Sequence, residues 1–197
     1  LLEYRRVEFV GPKVSAELIR SGALALILAL AAMMFYIWLR FEWQFSIGAI
    51  IALIHDVFLT IGVFALVRLE FNLSIIAAIL TIIGYSMNDT VVIYDRVREN
   101  LHKYRSMPLV DLLNKSVNDT LARTVMTSVT TLLALLALFF FGGEVIRGFT
   151  FAMIWGVLVG TYSSIFIAAP ALTYLRVHRG AKVASKYVNA ERTEANE

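Results

Sequence analysis

Five apolar stretches, each long enough to cross a hydrocarbon core of about 30 Å, decide what this chain can fold into. They run roughly from Ser21 to Leu39, Phe45 to Val67, Asn72 to Tyr94, Thr124 to Phe141 and Phe149 to Leu175. Lipid offers the backbone no hydrogen bonds, so segments of this kind satisfy their own N–H and C=O groups as helices. The chain is 59% hydrophobic and 17% charged with a mean hydropathy of +0.73, whereas soluble domains are about half apolar and a quarter charged. The expected fold is an all-α membrane protein, a polytopic helical bundle with five transmembrane helices. The first stretch does not read as a cleavable signal, because it follows a polar region and runs into Arg40 without a small-residue cleavage site.

Three of the connections are only a few residues long, which predicts antiparallel hairpins of neighbouring helices. Gly156 and Gly160 form a small-xxx-small pair in the fifth stretch, and Gly48, Ala49, Ala52 and Gly62 offer close approach in the second. Trp38, Trp43, Trp155 and Tyr174 include candidate interface anchors. The longest link, about 95–120, extends the third helix from Asp95 to Tyr104 and breaks near Ser106 and Pro108. Beyond the break, Leu109 to Val117 reads as an amphipathic helix on the membrane surface, with Asp111 and Lys115 an i,i+4 pair.

Basic residues fall in two blocks. Arg96, Arg98, Lys103, Arg105, Lys115 and Arg123 surround the long link, and Arg176, Arg179, Lys182, Lys186 and Arg192 follow the last stretch. The positive-inside rule puts both blocks in the cytoplasm, so the carboxyl terminus is expected inside and the amino terminus outside. A pI near 9.3 then reflects membrane topology and contact with lipid, and implies no nucleic acid. Arg5, Arg6, Lys13 and Arg20 fall on the outer side, where the rule is weak for long translocated domains. Residues 1–20 are accordingly expected to end an extracytoplasmic region with at least one further helix upstream. Residues 21–177 form the bundle, and 178–197 form a disordered cytoplasmic tail poor in large apolar residues.

The absence of cysteine excludes disulfides, thiolate metal sites and thiol nucleophiles. No Gly-rich phosphate loop, metal-spaced His cluster or nucleophile–base pattern is present in the sequence. The chain therefore reads as a non-enzyme with no cofactor, metal or catalytic residue.

Function has to come from the polar residues inside the apolar stretches. An Asp near a helix centre costs about 2.5–3.5 kcal/mol on insertion scales, so it is kept for an ion path, a relay or a buried partner. Asp89 lies in GYSMNDTVVIYDRVREN, Gly84 to Asn100, with Ser86, Asn88 and Thr90 beside it. It reads either as a proton-relay residue, the favoured role, or as the centre of a static hydrogen-bonded knot. Arg123 opens the fourth stretch near the same depth; it reads equally as the relay's cation and as a snorkelling anchor. Asp56, nearly central in the second stretch, either joins the ion path or pairs with His55 and polar residues of the third. His55 favours packing or hydrogen bonding. Thr124, Thr127, Ser128, Thr130 and Thr131 line a polar seam or bond back to their own helix. Glu144 and Arg147, after Gly142 and Gly143, shape a turn.

Several separate motifs resemble the SecF family of protein-export membrane proteins. They are VEFVGPKVSAEL, Val7 to Leu18; IALIHDVFLTIGVFAL, Ile51 to Leu66; NLSIIAAILTIIGYSMNDTVVIYDRVREN, Asn72 to Asn100; LARTVMTSVTTLLALLALFFFGG, Leu121 to Gly143; and GVLVGTYSSIFIAAP, Gly156 to Pro170. The resemblance implies an architecture of the resistance-nodulation-division type: six helices, a large extracytoplasmic domain between the first two, and a pseudo-symmetric partner half, SecD. It implies a multi-pass protein of the bacterial cytoplasmic (inner) membrane that uses proton flow in late-stage protein export. The implied partners are SecD, the SecYEG channel, SecA-driven preprotein, YidC and YajC. Asp89 matches the family's GYSxND aspartate and Arg123 its arginine before TVMTS, both proposed for a proton path whose other acidic group comes from SecD. A rival role is a scaffold docking SecD, SecYEG or an insertion factor, with Asp89 only locking the bundle.

Overall fold

The computed structural model describes residues 12–68, 73–175 and 177. Its elements are α1 (Pro12–Arg40), α2 (Trp43–Val67), α3 (Leu73–Lys103), α4 (Leu109–Phe141), α5 (Glu144–Ser163), a π-helical turn (Ser164–Ala168) and α6 (Ala169–Tyr174), with no strand among the described residues. The last three form one rod, so five spans are present as expected. Residues 1–11 and the tail 178–197 lie outside the described residues.

α3 and α5 form the centre of the bundle. About 50% of each one's most apolar window is buried, against 6% for α1 and 11% for α4, which therefore stand at the periphery. Small residues let the central pair touch. A Cβ on Gly156 would run into the Ile82 side chain, and one on Gly160 would sit 3.0 Å from Ser86 Cβ. Gly48 seats the Tyr94 hydroxyl, 2.5 Å from where its Cβ would stand. Around that tyrosine, Phe41 and Phe45 meet its ring edge-on at 6.3 and 5.2 Å. Gly62 departs from expectation: nothing lies within 4 Å of its Cβ position, so it supplies no close approach.

Turns follow local chemistry. Arg68, at φ 55°, caps α2 by donating its N–H to Phe64 O, and Gly143 takes φ 80° between α4 and α5, where a side chain would be strained. Arg147 then stacks over Phe139 at 5.7 Å across that turn.

The long link is the main correction. α3 does extend to Lys103 and a break follows, but Leu109 to Val117 is no separate surface helix. It runs unbroken into α4, with Leu112 and Leu113 buried against the core. Asn100 Nδ2 donates to Ser116 Oγ at 2.9 Å, fastening these first turns to the extension of α3. Lys115 pairs with Asp119 at 3.5 Å, not with Asp111. Trp38, Trp43 and Tyr174 are exposed as anchors should be, whereas Trp155 sits inside α5 with its Nε1 buried and unpartnered.

Candidate functional site

Asp56 sits near the middle of α2 and is fully buried. Two hydroxyls donate to its Oδ2: Ser86 Oγ of α3 at 2.6 Å and Ser163 Oγ, the last residue of α5, at 2.8 Å. His55 Nδ1 lies 3.2 Å from Oδ1, and its ring packs 6.5 Å from that of Tyr162. One carboxylate thus clasps three helices. Pairing of Asp56 with His55 and with the third stretch matches expectation. Ser163 escaped the sequence reading, and its only signal was a hydroxyl pair within an apolar helix.

Directly after Ser163 the rod winds into its π turn, a feature that concentrates at functional sites. Tyr94 of α3, fully buried, donates its hydroxyl to Ala168 O at 3.0 Å. Both ends of the π turn are therefore held by side chains of other helices.

Asp89 is differently served. It is 4% exposed, and its Oδ2 has no hydrogen-bond partner. Its sequence neighbours turn elsewhere: Ser86 to Asp56, Thr90 to Ser86 O at 3.1 Å, and Asn88 to the exposed surface. The hydrogen-bonded knot is thus built on Asp56 and does not surround Asp89. The charge that acts on Asp89 is that of Arg123 on α4, although no hydrogen bond joins Arg123 to Asp89 Oδ2.

Helix pairing sets their levels. α3 and α4 meet through Asn100 and Ser116, Arg96 and Asp119 at 3.0 Å, and Tyr85 and Thr131 at 3.5 Å. Asp89 falls between Tyr85 and Arg96, and the opposing stretch between Asp119 and Thr131 carries Arg123, Thr124 and Ser128. Thr124 Oγ1 is also buried without a partner, and Ser128 shares a hydrogen bond of 2.7 Å with Thr161 of α5. Thr127 and Thr130 bond back to their own helix. Both readings of the hydroxyl face therefore hold, residue by residue. Exposed Arg123 lines a groove of about 530 Å³ with Arg40, Asp95, Arg96, Glu99 and Asp119, where Arg40 pairs with Asp95 at 3.2 Å and Arg96 with Glu99 at 2.6 Å.

Residues 2–178 match the family of the protein export membrane protein SecD/SecF, C-terminal. The chain belongs to the SecD/SecF family. It is similar to protein translocase subunit SecF of Cereibacter sphaeroides, 59% identical over 179 residues that cover 91% of this chain and 55% of the relative. The corresponding protein of Rickettsia rickettsii is 58% identical over 171 residues, covering 87% and 56%. The chain spans about half the length of the curated relatives it matches. Among solved structures, SecDF, a translocon-associated membrane protein from Thermus thermophilus, superposes with a TM-score of 0.81 at 46% identity, covering 85% of this chain and 23% of that one. SecDF in a super-membrane-facing form gives 0.78 at 44% identity, covering 90% and 24%. Membership in the SecD/SecF family and the multi-pass helical bundle thus agree with the sequence reading.

Proposed function

We propose that this chain is the membrane-embedded part of a SecF subunit that works with SecD to couple proton flow to late-stage protein export through the SecYEG channel. The observation that carries the reading is Asp89, a carboxylate buried within a membrane-spanning helix with one oxygen unpartnered and with Arg123 as its acting charge. A buried acid whose cation stands near but unbonded has two states to move between. Protonation of Asp89 weakens its attraction to Arg123, α3 shifts against α4, and the movement passes to the partner half and the outer domains. One charge crossing 100 mV supplies about 2.3 kcal/mol, enough to bias a two-state element more than tenfold. Asp56 joins the path through Ser86, which lies one turn from Asp89 on α3, and His55 supports Asp56; Asn88 and Thr90 border Asp89 in the sequence but turn to the surface and to Ser86 O. The basic blocks support a cytoplasmic carboxyl terminus and an amino terminus outside. SecA-driven preprotein, YidC and YajC are the further partners of this reading.

The test compares full-length protein with Asp89→Asn, at matched complex levels, for preprotein export with and without a proton gradient. Loss of the gradient-dependent increment alone is expected. An undiminished increment overturns the relay, and reduced complex yield or thermal stability without a coupling defect assigns Asp89 to a scaffold role.

A further inference from the structure

Pro170 stands where a straight α-helix holds a residue badly. A proline has no N–H to give, and its ring runs into the carbonyl four residues earlier, here that of Phe166. Just ahead of it the rod opens into the π turn, Ser164–Ala168, and resumes as α6 with Pro170 in its first turn. A π turn carries one residue more than an α turn and so rotates everything beyond it by about 100°. Burial records that step. Gly156, Gly160 and Ser163, all buried, follow one face at three- and four-residue spacing. In an unbroken α-helix this face would go on to Ile167, Ala171 and Tyr174. Instead Ala168 and Leu172 are fully buried, Ile167 and Ala171 only partly so, and Tyr174 is 88% exposed.

Two side chains of other helices hold the shifted register. Asp56 accepts the Ser163 hydroxyl just ahead of the turn, and Tyr94 donates its own to Ala168 O at the end of it. Gly48 leaves the room for this: a Cβ there would stand 2.5 Å from Tyr94 Oη and 3.5 Å from Ala168 O. The α register is close to the observed one in packing. It would bring Ile167 and Ala171 inward in place of Ala168 and Leu172, again one alanine and one four-carbon side chain. Cores tolerate such volume-conserving exchanges best. Pro170 and Tyr94 favour the π register whatever the state of Asp56, but the Ser163 bond depends on charge, because a hydrogen bond to an ionised acceptor is roughly twice as strong as a neutral one. His55 on α2 is the titratable group that faces Asp56; α3 and α5 face it with the hydroxyls of Ser86 and Ser163. We propose that the α5–α6 rod is a two-register element set by Asp56. Ionised, Asp56 holds Ser163 and the π turn; neutral, it lets the turn relax to α and α6 rotate by about 100°, drawing Tyr174 inward. This reading rests on the proposed relay only for how Asp56 comes to be protonated.

The test places a cysteine at the exposed end of the rod, Tyr174→Cys, in the full-length protein with its SecD partner in detergent. Its rate of reaction with a water-soluble maleimide is read from the mass of the labelled peptide, at one pH throughout. Fast labelling is expected in the π register. Pro170→Ala, which lifts the objection to an α-helix, should slow it at least threefold. Added to Pro170→Ala, Ser163→Ala should slow it further by about tenfold, the worth of one hydrogen bond to a charged group. Asp56→Asn, which keeps the acceptor and removes its charge, should act in the same direction and by less. Ser86→Ala is the contrast: it takes the other hydroxyl off the same carboxylate and leaves Ser163 in place, so labelling should not slow. An equal rate in Pro170→Ala and its parent, a rate no slower in Ser163→Ala than in Ser86→Ala, or no effect of Asp56→Asn would each overturn the proposal. General loosening of the bundle would move the two serine variants alike. Labelling reads the rod and not proton flow, so its outcome is separate from that of the Asp89 relay.

Discussion

Asp56 and Asp89 are both carboxylates buried in membrane-spanning helices, yet the protein serves them differently. Asp56 receives two hydroxyls on one oxygen and a ring nitrogen near the other, which replaces much of what water would supply. Ser163→Ala should therefore destabilise the full-length protein by about 1–3 kcal/mol, the cost of a lost hydrogen bond to a buried charged group, read as a lower thermal unfolding temperature in detergent. Ser86 and Ser163 share an acceptor, so either can compensate in part for the other's loss. The double alanine variant should lose more than the sum of the single losses, a coupling of about 0.5–3 kcal/mol; strict additivity would show that the two hydroxyls act independently. Both acidic positions were legible in the sequence, because a carboxylate among apolar residues is costly wherever the chain places it. Ser163 was not legible. A serine in an apolar helix can always bond to its own backbone, and only the packing of α5 against α2 turns it toward an acid 107 residues away.

At the level of elements, glycine spacing in a sequence does not say which glycines touch a neighbour. Gly156 lies against Ile82, whereas Gly62 has open space around it. Gly→Ala in a helix gains about 1 kcal/mol of propensity, and overpacking a tight contact costs about 1–3 kcal/mol. Gly62→Ala should accordingly raise stability by up to about 1 kcal/mol, while Gly156→Ala should lower it because the packing term is larger. Thermal unfolding of the two variants checks the contrast, and equal shifts of the same sign would contradict it. Helix existence was legible throughout from apolar length. The start of α4 was misplaced because charges at Asp111, Lys115, Asp119 and Arg123 interrupt the hydropathy. Asp119 pairs with Arg96 and Asn100 on the extended α3, and Asn100 also donates to Ser116, so these turns are held by another helix and not by the membrane surface. The π turn left no trace in the periodicity, since its hold comes from Tyr94 and Ser163 contacts that only the folded bundle creates.

The whole bundle is lopsided: α3 and α5 are packed, while α1 and α4 present most of their surface outward. On α4, Val125, Met126, Val129 and Leu133 are all exposed at 45% or more. Composition cannot separate a face that meets lipid from one that meets a partner helix, because both are apolar; which face, if any, meets a partner was therefore illegible. If the second acidic group of the relay lies in the partner half, this segment holds only one side of a proton path. Reconstituted alone in vesicles carrying a pH-sensitive dye, it should pass protons no faster than protein-free vesicles under an imposed gradient. Full-length protein reconstituted with SecD should pass them faster, and Asp89→Asn in that pair should return the rate to the protein-free level. Gradient-driven flux through the isolated segment would place a complete path within these five helices, and would remove the need for an acid from the other half.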